Sequence, residues 1–232
     1  MLKQKKYFGI IIVVLVFGYL VIPNIIERVK SGTTIVDNRS QSATPLQYIT
    51  LNGEAKKVPE FTFLNQDSIY VSNEDFKGKV YVVEFFFTSC PSICPIMNKN
   101  MKRIEDKYGL REDFGIASFT IDPSHDTPSV LKEYAERYDV LSRNWHFLTG
   151  DINSLYSLAN KGFNIFASVN PRVEGGFEHQ GYFALIDKNG FIRSRSDSFG
   201  NPIVYYTGID QENVEIQDVD LLIEDIRKLL KE

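Results

Sequence analysis

Two cysteines are the only thiols in this 232-residue chain, and they stand four positions apart, at Cys90 and Cys94. They lie in the run Thr88-Ser89-Cys90-Pro91-Ser92-Ile93-Cys94-Pro95. A pair this close can form a disulfide, cycle between dithiol and disulfide, or offer two soft thiolates to a metal such as copper(I). A bridge across so short a loop constrains the unfolded chain little, so a purely stabilising disulfide is the weakest of the three. Two thiols cannot build a four-cysteine zinc site or a disulfide-rich scaffold. The imidazoles are His125, His146 and His179. His146 alternates with Trp145 and Phe147 on a short strand, which is a structural setting. His125 sits in a polar loop and nears the cysteines only if both loops gather at one end of a sheet. Asp122 and Asp126 read as turn formers that bond to backbone. Met97 and Met101, at helical spacing, read as core packing.

The elements around the pair have to present it at a turn. Residues 80–87 are β-branched and aromatic except for Glu84, which predicts a buried central strand. Ile96, Met97, Met101, Ile104 and Tyr108 recur at helical spacing up to Gly109. The cysteines thus fall between the carboxyl end of a strand and the start of a helix, where open α/β sheets bind ligands. Pro95 suits the first helical position and places Cys94 at the N-cap, where free amides favour thiolate. Further on, residues 114–121 predict a strand. Thr127-Pro128 opens a helix, residues 145–148 a strand, and Asp151 caps a helix that ends near Gly162. Residues 181–186 and 191–195 flank Asp187-Lys188-Asn189-Gly190 as a hairpin, and residues 219–230 form an amphipathic helix. Residues 58–64 read as an edge strand, and residues 199–217 as a surface excursion with no assigned function. The order predicts a mixed α/β sheet with helices on both faces.

The chain is 43% hydrophobic and 24% charged, which excludes wholesale disorder. A net charge of −4 argues against a nucleic-acid binder. That charge is unevenly spread: residues 1–30 carry +4 and the rest −8. Residues 7–26, with Asn24 the only plainly polar member, are long enough to span a bilayer. Lys3, Lys5 and Lys6 favour a cytoplasmic N-terminus, residues 1–6. No small-x-small cleavage pattern follows and no cysteine could carry a lipid, so an uncleaved single-pass transmembrane helix is expected. Residues 27–45 then form a polar tether, and residues 46–232 a single domain outside the cytoplasm.

The run F-F-F-T-S-C-P-S-I-C-P, together with the strand before it, resembles the thioredoxin superfamily and more narrowly the Sco/SenC family of copper proteins. Asp122-Pro123-Ser124-His125-Asp126-Thr127-Pro128 is similar to that family's D-P-x-x-D-T-P loop. Trp145-His146-Phe147-Leu148-Thr149-Gly150 is similar to its W-x-x-L-T-G run. His179, ahead of residues 181–187, stands where the family carries its ligand histidine. Gln180 departs from the small hydroxyl residue expected after it. The resemblance implies a thioredoxin-like fold with copper, Cu(I) or Cu(II), held by Cys90, Cys94 and His179.

It also implies a metallochaperone rather than an enzyme, one that assembles the binuclear copper centre of a cytochrome c oxidase. The expected partners are the membrane and a copper-receiving oxidase subunit or other copper and thiol proteins, with no nucleic acid. The expected location is the cell (inner) membrane, with the domain on the extracytoplasmic, periplasmic side. The alternative is an exported thiol-disulfide oxidoreductase with Cys90 and Cys94 as its redox pair. Against it, the spacing is C-x-x-x-C, and His179-Gln180-Gly181 stands where reductases of this kind place a proline. A peroxidase is disfavoured, because Phe87 and not threonine lies three residues before Cys90.

Overall fold

A computed structural model of the chain describes residues 13–19, 21–22, 45–197 and 199–232. The chain divides into two units, residues 1–38 and 39–232. In the first, residues 13–19 and 21–22 are helical. Among the described residues no helix is long and apolar enough to cross a membrane. The rest of the expected span 7–26, the N-terminus 1–6 and nearly all of the tether lie outside the described residues.

The second unit is built on strand β6 (Val80–Phe86), whose seven residues are all buried. A strand buried on both faces is apolar throughout, which is why its sequence does not alternate. It pairs in parallel with β7 (Phe114–Thr120), and β7 in parallel with β8 (Trp145–Thr149). Each parallel step needs a crossover, supplied by α1 (Cys94–Tyr108) and α2 (Pro128–Arg137). Beside β6 on the other side runs β11 (Tyr182–Ile186), antiparallel, followed through a tight turn by β12 (Ile192–Ser194). The sheet is therefore mixed, as expected.

Shorter strands complete the unit. These are β1 (Gln47–Tyr48), β2 (Thr50–Leu51), β3 (Glu54–Ala55), β4 (Thr62–Asn65), β5 (Tyr70–Ser72), β9 (Ala167–Val169), β10 (Phe177–His179) and β13 (Tyr206–Thr207). The main sheet runs β1-β12-β11-β6-β7-β8-β4-β5, with β13 also on β11. Strands β9 and β10 pair only with each other, as do β2 and β3. Helix α3 (Ile152–Ser157), capped by Asp151, runs on into a π-helical turn, Leu158–Phe163. Helix α4 (Asp218–Lys231) closes the chain.

Two expectations need correcting. The strand read over residues 58–64 is β4, at 62–65, and it is not the edge. The Asn65 side chain accepts from the amides of Asp67 and Ile69, which turns the chain back so that β5 covers β4. The excursion over residues 199–217 is not wholly at the surface. Tyr206 is buried in β13 and its hydroxyl donates to Asp225 of α4, which also holds Arg195.

Candidate metal centre

The pair follows β6 directly. Residues 87–93 leave the sheet, and Cys94 begins α1. Sequence reading put Cys94 at the N-cap, but the helix starts one residue earlier in its bonding. The Ile93 carbonyl accepts from the amides of Ile96 and Met97, so Ile93 is the N-cap, Cys94 the first helical residue and Pro95 the second. A residue before proline is only biased away from helical conformation, and here the helix overrides the bias. Cys94 remains in the first turn, at the positive end of the helix dipole.

His179 comes to the pair from β10. The ligand atoms of Cys90, Cys94 and His179 all lie within 4.8 Å of one another. His179 Nε2 is 3.3 Å from Cys94 Sγ, and Nδ1 is 3.3 Å from the Gln180 carbonyl. In the tautomer whose Nδ1–H donates to that carbonyl, the Nε2 lone pair is presented to the site. The unexpected Gln180 has a place in this geometry. Its amide donates to the Phe166 carbonyl and its side-chain oxygen accepts from the Phe166 amide, which pins the base of the β9–β10 hairpin. The stretch 171–178, with Gly175-Gly176, which matches none of the family motifs, forms the turn of that hairpin and the first two residues of β10.

The two thiols are electrostatically unequal. Cys90 is held down at about 3, chiefly because Cys94 hydrogen-bonds to it, with burial opposing and His179 and nearby backbone amides assisting. Cys94 is pushed up, first by burial and then by the charge it faces on Cys90. The two thiols therefore titrate as a pair, with Cys90, the less enclosed of the two, favoured as thiolate. Cys90 faces a cavity of about 280 Å³, with Phe87, Ile93, Val173, Glu174 and Phe177 among its walls. A larger cavity of about 630 Å³, between β4 and α3, is lined by neither cysteine nor histidine.

The Cys loop is tied to the loop after β7. The fully buried Asp126 accepts from the Thr88 amide at 3.1 Å and from the hydroxyls of Thr88 and Thr120. Asp126 is therefore a clamp between two loops, more than the turn former expected. Asp122 does shape its turn, accepting from Ser124 Oγ and the His125 amide. His125 reaches the same corner, 2.9 Å from Asp126 and 3.3 Å from Thr88 Oγ1, and Asp126 raises its pKa. The structure does not bring it into the cluster with the cysteines. His146 is elsewhere, half-buried against Phe76, with its pKa lowered by burial. Met97 and Met101 are fully buried.

Glu84, the one charged residue of the apolar strand, has no role predictable from the sequence pattern. It is fully buried beside its ladder partner Ser118 of β7, where Oε1 accepts from Ser118 Oγ while Oε2 has no partner. Burial raises it to about 7. The sequence does mark the position: one carboxylate in an apolar strand six residues before Cys90.

A sequence model described as SCO1/SenC matches residues 49–212. This chain belongs to the SCO1/SenC family. The SCO1 protein homolog of Bacillus subtilis (strain 168) is 38% identical over 138 residues, which is 59% of this chain and 71% of that one. Among solved structures, BsSco shares 33% identity with a TM-score of 0.60, covering 75% of this chain and 93% of its own. BsSco is described as a member of the Sco family of cytochrome c oxidase assembly proteins, with a disulfide switch. Bradyrhizobium japonicum ScoI, solved with copper bound, shares the fold at 18% identity and a TM-score of 0.56, over 75% of this chain and 99% of that one.

Proposed function

We propose that this chain is a membrane-anchored copper metallochaperone. Its cargo is held by Cys90, Cys94 and His179 and passed to the binuclear copper centre of a cytochrome c oxidase. The observation that carries this reading is the convergence of two thiols and one imidazole from separate elements within 4.8 Å of one another, with Cys90 and His179 lining one cavity. Two sulfur donors and a neutral nitrogen suit copper(I), and the same set can hold copper(II). The residues fit the ion in another respect. The lowered pKa of Cys90 favours thiolate, the form that binds metal. Family membership supports the oxidase as recipient, since the related BsSco is described among oxidase assembly proteins. The basic, apolar head supports an inner-membrane anchor over residues 7–26, a tether over 27–45 and a periplasmic domain.

A second reading is favoured by the inequality of the thiols. A low-pKa, cavity-facing Cys90 and a buried, protonated Cys94 are the division of labour of a dithiol reductase. Cys90 thiolate would attack a partner's disulfide, forming a mixed disulfide and releasing one partner thiolate. Cys94, giving up its proton, would then attack Cys90 sulfur, releasing the second partner thiol and leaving a Cys90–Cys94 disulfide. Copper(I) titration of the reduced chain separates the two readings. One equivalent should bind in the wild type, binding should be lost in Cys90→Ala and Cys94→Ala, and it should be weakened in His179→Ala. Absence of stoichiometric binding would sink the metallochaperone. Wild-type affinity in His179→Ala would remove that ligand.

A further inference from the structure

His179 stands on a two-stranded element that is separate from the main sheet, so its position depends on how that element is seated. Asn160 holds both backbone groups of Ala167, opposite His179, and one ring packs against the imidazole and the hairpin tip alike. Phe87, the first residue after β6, is buried, and its ring centroid lies 5.3 Å from that of Phe177 and 5.8 Å from that of His179. The planes of Phe87 and His179 meet at 78°, an edge-on contact that orients the imidazole. The tip of the hairpin rests on the same ring. A Cβ built on Gly175 would come within 3.1 Å of two Phe87 ring carbons and 3.1 Å of Pro91 Cδ. Gly175 has φ +85°, and its neighbour Gly176 has φ +80°, yet a Cβ on Gly176 would meet nothing within 4 Å. The two glycines share the left-handed backbone that disfavours side chains. They differ in whether a methyl group can fit.

We propose that Phe87 and Gly175 are positioning residues for His179. The ring is the seat of the β9–β10 hairpin, and the missing side chain at Gly175 lets the tip close onto it. A methyl at Gly175 would lift the tip. The base, held by Gln180 and Phe166, would act as the pivot, and His179, opposite Ala167 in the third and last pair of the ladder and next to that base, would tilt with its strand and turn its ring off the thiols. The inference rests on the copper reading for its purpose but not for its geometry, so the test has a metal-free arm.

In the metal-free full chain, a nuclear Overhauser contact between the Phe87 and His179 rings is expected in the wild type and in Gly176→Ala, and is lost in Gly175→Ala. Competition with a copper(I) chelator should then show Gly175→Ala weakened roughly 10- to 100-fold, the range for groups that orient a metal ligand. Its affinity should fall to that of His179→Ala, with no further loss in the double variant, while Gly176→Ala binds as wild type. Phe87→Leu, which removes the ring but keeps an apolar filling, should reproduce the weakening and serves if Gly175→Ala does not fold. A retained ring contact in Gly175→Ala overturns the proposal. So do equal effects at the two glycines, which would mean backbone strain alone, or losses that add to that of His179→Ala. If the ring contact behaves as expected while the wild type takes up no copper, the copper reading fails and the positioning role stands.

Discussion

Glu84 carries the largest unresolved tension at the level of single residues, because a carboxyl group is fully buried with one oxygen unpartnered. Its pKa is about 7 against an ordinary 4.5, so between those values the unfolded chain ionises at this position while the folded one keeps its proton. Stability should therefore fall as pH rises through that window and stay lowered above it. The size is about 3 kcal/mol if the whole shift is expressed. In Glu84→Gln that component is absent, so urea unfolding at pH 5 and at pH 8 should show the variant gaining on the wild type at the higher pH. A constant difference between the two proteins would mean that Glu84 ionises normally. The same scale explains why the chemistry was readable before any coordinates. Only five side chains could supply thiol or imidazole, and spacing alone paired two of them. The inequality of Cys90 and Cys94 was not readable, because it comes from burial and from one hydrogen bond across the turn.

At the level of elements, the site is a junction of the turn after β6, the loop after β7 and the β9–β10 hairpin. Asp126 joins the first two. Asp126→Ala would leave the Thr88 amide and the hydroxyls of Thr88 and Thr120 without their acceptor. Denaturant unfolding should show a loss of about 3 kcal/mol, in the range for stranding buried donors. The His125 titration, followed by NMR, should move back down, since Asp126 is the main cause of its upward shift. An unmoved His125 would contradict the clamp. The long elements were legible: β6, β7, α1, α2 and α4 all announce themselves by continuous apolar runs or helical periodicity. The short ones were not. Strands β5, β9, β10 and β13 have two or three residues each, too few to establish a period. Strand β13 in addition depends on a partner in an earlier strand, with Tyr206 against Phe183. The hairpin that carries His179 was among those missed, so its ligand role could be reached only through the family resemblance.

For the whole molecule, the charge division between a basic head and an acidic body becomes a question of address. If residues 7–26 span the membrane, the chain should stay in the pellet when membranes are washed with alkaline carbonate, and a chain beginning at residue 39 should not. Release of the full chain by carbonate would rule out an integral anchor. The body's architecture bears on how cargo leaves it. The two thiols are attached to the buried centre of the nine-stranded sheet, whereas the imidazole rides on a ladder of three residue pairs that shares no strand with it. Displacing the hairpin would cost its contacts with Asn160 and Phe87 but no ladder bond of the main sheet. With the imidazole gone and both sulfurs still bound, one coordination position stands open to an incoming donor. Under the metallochaperone proposal, copper would then change hands one ligand at a time, with no moment at which it is free in solution.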